Sequence, residues 1–132
     1  MKQYDEYLEG FYKKLEEKIK ENGVPVDLGR IRAAFETAVE AHSGQLRRDG
    51  SPYVTHVVAA AVITAEMGLD EDSIVSALLH DTLEDTSMTY DDIVRQFGPS
   101  VADIVDGVTK LTRVNFTSRE EEQMENMRKM LM

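Results

Sequence analysis

The sequence predicts an all-α fold. Apolar residues recur at intervals of three and four along most of the chain, which is the period of an amphipathic helix, and the alternation typical of strands is missing. Glycine, proline and N-capping residues divide this pattern into about seven segments. A chain of 132 residues is long enough for one hydrophobic core. We therefore expect a bundle of about seven helices without a strand.

The first two helices are predicted over residues 3–21 and 28–43, each with one apolar stripe. A glycine and a proline end the first helix, and Asp27 can cap the second. We divide the chain accordingly into an N-terminal amphipathic helix and linker, residues 1–26, and a main domain, residues 27–132.

A loop rich in turn-forming residues is predicted over residues 44–54. His42 precedes it at the end of the second helix, where a histidine is more often a C-terminal cap or core residue than a ligand. The loop carries Arg47 and Arg48, a pair suited to phosphate binding or to stacking on a base. The third helix is predicted over residues 55–67, ended by a glycine.

The fourth helix is predicted over residues 71–84, with Asp70 as its cap. Its apolar residues cover a wider arc than a surface helix needs, so we expect it to be central. A shorter helix follows and ends at Phe97, and Thr89 with Asp92 resembles a capping box at its start.

The last two helices lie near the C-terminus. The sixth is predicted to begin at Ser100, before a loop over residues 113–117. Its predicted inward residues are Val101, Ile104, Val105 and Val108. The seventh is predicted over residues 119–132, with Ser118 as its cap. It ends in apolar residues without a terminating glycine or proline, so we expect the natural domain to continue.

Composition and charge exclude several classes of protein. A hydrophobic fraction of 42% beside 30% charged residues is typical of a folded soluble domain. No apolar run approaches the roughly 20 residues that span a bilayer, and the charged N-terminus lacks a signal peptide, so we expect a cytoplasmic protein. The absence of cysteine excludes disulfides and thiolate chemistry. The net charge of −10 disfavours binding to nucleic acid or anionic membranes.

Acidic residues at the end of the fourth helix point to a metal site. Asp81, Glu84 and Asp85 would oppose the helix macrodipole, at a cost of about 0.3–1 kcal/mol each. In a continuous helix His80 and Glu84 share one stripe, and the two aspartates share the next. Carboxylate and imidazole are usual ligands of divalent cations, and His56 is a third candidate ligand. A solvated acidic face is the alternative interpretation of the charge pattern.

A mixed histidine and aspartate site with open positions suits catalysis on phosphoryl groups. A divalent ion in such a site polarises a phosphoryl oxygen and lowers the pKa of bound water. The pair Glu84 and Asp85 could then orient or deprotonate that water, as a general base does. Basic clusters flank the acidic middle of the chain, which favours an anionic ligand that bridges toward arginines.

Six ordered blocks carry a resemblance to a known family. They are 41–45, 47–56, 78–86, 97–98, 105–111 and 125–130, and they are spread over residues 31–132, the range of the resemblance. In these blocks the chain resembles the HD superfamily of metal-dependent phosphohydrolases. More narrowly, it resembles the N-terminal hydrolase domain of RelA/SpoT-type enzymes, which act on the guanosine tetra- and pentaphosphates written (p)ppGpp. The resemblance implies an HD-domain helical bundle.

The resemblance also implies roles for individual residues. His56, His80 and Asp81 match three of the four protein ligands of the family's manganese ion. Glu84 and Asp85 match the acidic pair that activates water in hydrolase-competent members. Members without hydrolase activity lose the His-Asp and Glu-Asp pairs, and this chain keeps both.

The implied substrate is (p)ppGpp, whose 3′-pyrophosphate is removed to give GDP or GTP and pyrophosphate. Arg47 matches the arginine that packs against guanine, and Arg48 is the adjacent nucleotide contact. The family's fourth ligand, an aspartate in a block expected past Met132, is absent here. The resemblance therefore implies a fragment of a (p)ppGpp hydrolase and GTP pyrophosphokinase.

Two alternatives are left open. The first is an enzyme of the same superfamily that acts on another nucleotide, which the sequence from Arg47 to His56 disfavours because it matches the guanine-contacting loop. The second is a catalytically impaired remnant that binds nucleotide or regulates a partner, and the missing fourth ligand favours it.

Overall fold

The computed structural model describes residues 4–110, and within that range it is all-α, as predicted. Its helices are α1 Glu6–Asn22, α2 Leu28–Ala41, α3 Val54–Glu66, α4 Glu71–Leu79, α5 Thr82–Asp85, α6 Tyr90–Phe97 and, over residues 99–110, α7. The β-structure in this part of the chain is one isolated bridge between Leu46 and Pro52. None of the helices described has the length and apolar character that crossing a bilayer requires.

Side-chain caps set where the helices begin. Asp27 accepts hydrogen bonds from the first backbone amides of α2, and Asp70 accepts one from the amide of Ser73 in α4. Thr89 and Asp92 form a reciprocal capping box at α6. All three caps were predicted, and they are confirmed.

The first helix starts later than predicted. Asp5 has extended backbone geometry and accepts a hydrogen bond from the amide of Leu8, so α1 begins at Glu6 rather than at residue 3. At the other end Gly23, with a φ of 69°, closes the helix in the left-handed conformation. The N-cap at Asp5 was not predicted, because the acidic residues Asp5 and Glu6 follow one another and the sequence does not indicate which position caps the helix.

The core forms where α3 packs against α1, α2 and α4. Side chains from every one of these helices are inaccessible to solvent, among them Leu15, Ile31, Phe35, Val57, Ile74, Leu78 and Leu79. Helix α1 contributes side chains to this core, and the division into residues 1–26 and a main domain stays a prediction. The wide apolar arc predicted for α4 agrees with its buried position.

A buried arginine joins α1 to α2. The Arg32 guanidinium donates two hydrogen bonds to the Glu9 carboxylate, at 2.7 and 2.8 Å, and its Nε donates a third to Glu36 at 3.3 Å. Its central carbon lies 4.8 Å from the ring centre of Tyr12 and 5.1 Å from that of Phe35. The charge is therefore paired on one side and packed against aromatic rings on the other, as burial of an arginine requires.

The fourth helix is shorter than predicted, and this places the site. α4 ends at Leu79, and the one-turn helix α5 follows instead of a continuation. Thr82 Oγ1 donates to the Leu79 carbonyl at 2.7 Å, and His80 Nδ1 donates to the Ala77 carbonyl at 2.6 Å. These side chains bind carbonyl groups at the end of α4, and Asp81 turns the chain with φ −98° and ψ −1°. The prediction of one continuous helix over residues 71–84, with His80 and Glu84 on one stripe, is therefore wrong.

Helix α7 also differs from its prediction. It begins at Pro99 rather than Ser100, because proline has no amide hydrogen to lose at the first helical position. Ile104 and Val108, predicted to face inward, are 38% and 39% exposed. They lie just outside the buried arc, which consists of Val101, Ala102, Val105 and Thr109. The loop predicted over residues 113–117 and the helix predicted over 119–132 fall outside the described residues.

Candidate functional site

The three side chains predicted as metal ligands lie together at the break between α4 and α5. His56 projects from the first turn of α3, His80 caps the end of α4, and Asp81 precedes α5. Asp81 Oδ2 is 3.1 Å from His80 Nε2 and 4.0 Å from His56 Nε2. One potential ligand atom from each residue lies within 4.8 Å of the others. The structure thus brings these residues together, and their role as ligands stays a prediction.

The donor set and its surroundings fit a divalent transition metal. Two imidazole nitrogens and one carboxylate oxygen are ligands that such ions accept. The carbonyl of Ala77 can only accept a hydrogen bond, so His80 Nδ1 must donate and Nε2 is the nitrogen that faces Asp81. Metal-binding histidines commonly donate their other ring nitrogen to a backbone carbonyl in this way, which fixes both the tautomer and the ring orientation.

Electrostatics within the cluster favour a charged pair in the metal-free protein. Burial is the largest single effect on both groups and favours their neutral forms. The hydrogen bond between His80 and Asp81, the further hydrogen bonds to each group and the nearby charges together outweigh it, so the pKa of His80 is raised and that of Asp81 is lowered. Burial lowers the pKa of His56, and the nearby positive charge of Arg47 acts in the same direction. His56 is therefore the histidine that more readily presents a neutral ring.

A tyrosine that the sequence analysis did not single out reaches into the cluster. The Tyr53 hydroxyl donates to Asp81 Oδ2 at 2.7 Å and lies 3.4 Å from Asp85 Oδ2. Burial and the hydrogen bond to Asp81 raise the pKa of Tyr53 above its ordinary value. The phenol therefore remains a donor, and it joins the predicted ligand Asp81 to one of the two predicted water-handling residues.

The predicted acidic pair lies on α5, outside the group of three ligand atoms. Glu84 and Asp85 are both exposed, so their carboxylates can meet solvent water. Asp85 approaches the cluster through Tyr53, and its charge contributes to the raised pKa of His80. The structure therefore places Asp85 beside the cluster, and Glu84 is not among the grouped ligand atoms.

The arginine loop is closed on itself by hydrogen bonds. The Arg47 amide donates to the Ser51 carbonyl at 2.8 Å, and the Gly50 amide donates to the Arg47 carbonyl at 2.9 Å. Asp49 Oδ1 accepts from both the amide and the hydroxyl of Ser51. Gly50 has a φ of 86°, a left-handed conformation that a side chain would strain. The loop is thus a defined turn, as its residues predicted.

Arg47 and Arg48 are exposed on this loop. Together with Leu46, Asp49 and Tyr53 they line an open cavity of about 550 Å³, a size common for small-molecule sites. Because Tyr53 belongs to both this cavity and the histidine and aspartate cluster, the two predicted parts of the site adjoin each other.

His42 is a buried C-cap residue, which agrees with the interpretation preferred from the sequence. It is 3% exposed and is not among the grouped ligand atoms. Its Nδ1 lies 3.1 Å from Gln45 Oε1, and its ring centre lies 5.0 Å from that of Tyr53. The buried His42 ring therefore packs against a side chain of the site, that of Tyr53.

The roles of Tyr53 and Gln45 were not predicted from the sequence. Both residues lie in the blocks that carry the resemblance, which was the available signal. The direction of each side chain, however, depends on how the loop closes, and a sequence pattern of turn residues does not specify that direction.

Comparison with known proteins supports the resemblance. The model of a family described as "HD domain" matches residues 34–132. The chain is 52% identical over 103 residues to the bifunctional (p)ppGpp synthase/hydrolase SpoT of Escherichia coli, a match that covers 78% of this chain and 15% of that protein. It is 47% identical over 108 residues to a GTP pyrophosphokinase of Myxococcus xanthus, covering 80% and 14% respectively. The chain thus spans about 15% of the length of the curated relatives it matches.

A solved structure is also similar. It is described as a metazoan ortholog of SpoT that hydrolyzes ppGpp and plays a role in starvation responses. The match has a TM-score of 0.58 and 33% sequence identity, and it covers 61% of this chain and 47% of the other. The predicted resemblance to RelA/SpoT-type hydrolase domains is therefore confirmed. Since the family model spans three quarters of the sequence, the chain belongs to the HD domain family.

Proposed function

We propose that this chain forms part of a manganese-dependent hydrolase that removes the 3′-pyrophosphate of (p)ppGpp. The observation that carries the proposal is the position of Tyr53, which joins the histidine and aspartate cluster to the loop that bears Arg47 and Arg48. The names of the similar proteins, which include (p)ppGpp hydrolases, support the same substrate. A soluble nucleotide substrate agrees with the cytoplasmic location expected from the sequence.

In this proposal His56, His80 and Asp81 hold the metal. A bound manganese ion would polarise a phosphoryl oxygen and make a water molecule more acidic. The pairing seen in the metal-free protein means that His80 must lose its Nε2 proton before that nitrogen can serve as a ligand. The Ala77 carbonyl keeps the Nδ1 proton in place during this change.

The acidic pair on α5 would handle the water. Hydrolysis needs attack on the phosphorus atom bonded to the ribose 3′-oxygen, cleavage of that bond, and transfer of the water's proton to a base. We assign the role of base to Asp85, and its connection to Asp81 through Tyr53 supports this assignment. We assign Glu84 to the same task on the basis of the sequence resemblance alone. The products are a nucleotide with a free 3′-hydroxyl and pyrophosphate.

Arg47 and Arg48 would bind the nucleotide. A guanidinium is planar, so it can stack on a base or bind phosphate with two hydrogen bonds. Both side chains are exposed on a turn that is already closed, so they can reach a ligand without a change of the backbone. The two guanidinium groups also place positive charge, which attracts an anionic nucleotide, on the surface of a strongly acidic protein.

Incubation with ppGpp and manganese chloride tests the proposal. We expect GDP and pyrophosphate, separated by anion-exchange chromatography, and we expect chelation of the metal to stop their release. Asp81→Asn should abolish turnover because it removes a ligand charge. Asp91→Asn is the matched control, since Asp91 is an exposed aspartate on α6 outside the cluster, and it should keep wild-type turnover.

The outcomes separate the alternatives. Release of pyrophosphate by wild type and by Asp91→Asn, but not by Asp81→Asn, supports the hydrolase. Binding of ppGpp without turnover supports the impaired nucleotide-binding module. Hydrolysis of other nucleotides in preference to ppGpp supports a different enzyme of the superfamily, and equal activity of both variants contradicts the metal site.

A further inference from the structure

Tyr53 makes the shortest hydrogen bond that any residue of the loop makes to the predicted metal cluster. Its hydroxyl donates at 2.7 Å to Asp81 Oδ2, the same oxygen that lies 3.1 Å from His80 Nε2. A carboxylate oxygen has two lone pairs, so it can accept this bond and ligate an ion at the same time. The hydroxyl thus acts on the atom through which Asp81 would meet a metal.

A backbone hydrogen bond of the loop and two histidine rings restrict the phenol ring of Tyr53. The Tyr53 amide donates to the Gln45 carbonyl at 2.9 Å, which fixes the backbone. The ring packs at 5.0 Å, between centres, against the buried imidazole of His42. The ring centre of His56 lies 5.7 Å away. Because its neighbours restrict the ring, the direction of the hydroxyl is set before any ligand arrives.

Gln45 ties the same loop to the acidic helix. Its amide nitrogen donates to the Asp85 carbonyl at 2.8 Å, and its amide oxygen therefore faces His42 Nδ1 at 3.1 Å. An oxygen can only accept, so His42 donates through Nδ1. The end of α5 is thereby held by the residue that also holds the backbone of Tyr53. The loop therefore contacts the predicted ligand Asp81 through Tyr53 and the predicted water-handling residue Asp85 through Gln45.

We infer that Tyr53 is a positioning residue, which orients the Asp81 carboxylate toward the metal and holds it in register with Asp85. The inference rests on the proposed metal site. Partners that orient a ligand from outside the coordination shell typically contribute 10–100-fold to metal affinity. Two groups contact Asp81 Oδ2 here, and one of them, His80, would itself be a ligand. Tyr53 is then the group left to hold the carboxylate when the ion binds.

The test compares the manganese affinity of the 132-residue wild type with those of three variants. Tyr53→Phe removes the hydroxyl and keeps the ring against His42. Tyr53→Leu removes the ring as well. Tyr90→Phe is the matched control, because Tyr90 also donates its hydroxyl to an aspartate, Asp103, on a different part of the surface. Free manganese is measured by electron paramagnetic resonance, and folding by thermal unfolding followed by circular dichroism.

We expect Tyr53→Phe to weaken manganese binding by about tenfold, with a melting temperature like that of wild type. Tyr90→Phe should bind as wild type does. A merely structural role would lower the melting temperature of Tyr53→Phe and leave the affinity of the folded fraction unchanged, and that result would overturn the inference. Equal affinity and equal stability in wild type and Tyr53→Phe would overturn it too.

The two proposals fail in different ways. If wild type binds no manganese at millimolar concentration, the proposed metal chemistry is wrong and the inference falls with it. If wild type binds and Tyr53→Phe binds as tightly, the metal site stands and the positioning role alone is wrong. If Tyr53→Leu unfolds, Tyr53→Phe still decides the question, because it changes one oxygen atom.

Discussion

Replacing Arg32 by methionine tests whether α1 is an integral part of the folded domain. Methionine keeps an unbranched side chain against the rings of Tyr12 and Phe35, but it removes the guanidinium and its hydrogen bonds to Glu9 and Glu36. Two carboxylates, those of Glu9 and Glu36, then lose a buried partner. The perturbation therefore removes the ion pair that joins α1 to α2, together with the charge that lies against the aromatic rings.

The size of the effect follows from these contacts. Removing one partner of a buried ion pair costs about 3–5 kcal/mol when the remaining charge is fully buried. The side chains of Glu9 and Glu36 keep 32% and 21% of their exposure, so water solvates them in part, and we expect about 2–3 kcal/mol. Loss of the two ring contacts adds about 1 kcal/mol. A total of about 3 kcal/mol lowers the melting temperature by about 10 °C in a domain of this size.

Thermal and urea unfolding, followed by far-ultraviolet circular dichroism, measure this loss. Arg95→Met is the control, since the Arg95 side chain is 74% exposed and pairs with Asp92 on the surface of α6, a contact that contributes less than about 1 kcal/mol. A double-mutant cycle with Glu9→Gln gives the coupling energy directly. A melting temperature for Arg32→Met within about 2 °C of wild type would refute the reasoning.

Acid should weaken the same contact. The hydrogen bond from Arg32 lowers the pKa of Glu9 below its ordinary value of 4.5. A carboxyl whose pKa is lowered by folding stabilises the fold above its ordinary pKa, and it loses that contribution as the pH falls through the lowered value. The stability difference between wild type and Arg32→Met should therefore shrink below about pH 4, and a constant difference would contradict the assignment.

Arg47→Ala should weaken guanine nucleotide binding by about tenfold, by loss of a charge-assisted contact, and should leave the melting temperature unchanged because Arg47 is exposed; equilibrium dialysis with labelled ppGpp measures it. Manganese binding should weaken as the pH falls through the raised pKa of His80, since the proton competes for Nε2, and titration calorimetry at a series of pH values tests this. Without bound metal the sign reverses: the contribution of protonated His80 to stability is fully present below pH 6.5 as long as Asp81 is ionised, and it is lost as the pH rises through the raised pKa of His80. Thr82→Val should cost about 1–2 kcal/mol in urea unfolding because the Leu79 carbonyl loses its donor, and an unchanged midpoint would contradict that role.

Much of the fold could be predicted because its signals are local. The caps at Asp27, Asp70 and Thr89 act on amides two or three residues away, so the residue types alone indicate them. The end of α4 could not be predicted in the same way. His80 and Thr82 are compatible with a helix interior, and only their contacts with carbonyl groups at the end of α4 end it there.

In the candidate site, too, some residues could be predicted from the sequence and others depend on the folded backbone. His56, His80 and Asp81 were predicted from residue chemistry and resemblance, and the packing of α3 against α4 brings them together. The contributions of Tyr53 and Gln45 depend on a loop conformation, which rests on hydrogen bonds between residues whose types allow many turns. Sequence patterns predict which groups are present, whereas the orientation of a loop side chain requires the folded backbone.

The closed turn from Arg47 to Ser51 affects nucleotide affinity through the fraction of molecules in which the loop has its binding conformation. A ligand that needs one loop conformation binds with an apparent dissociation constant equal to the intrinsic value divided by the fraction of molecules in that conformation. The turn depends on Gly50, and a side chain there would strain the left-handed backbone by about 1–2 kcal/mol. If the competent conformation were only a minor one, that strain would reduce its population by about 5- to 30-fold and weaken nucleotide binding equally. Gly50, which has no side chain to contact the nucleotide, would then determine how tightly Arg47 and Arg48 bind it.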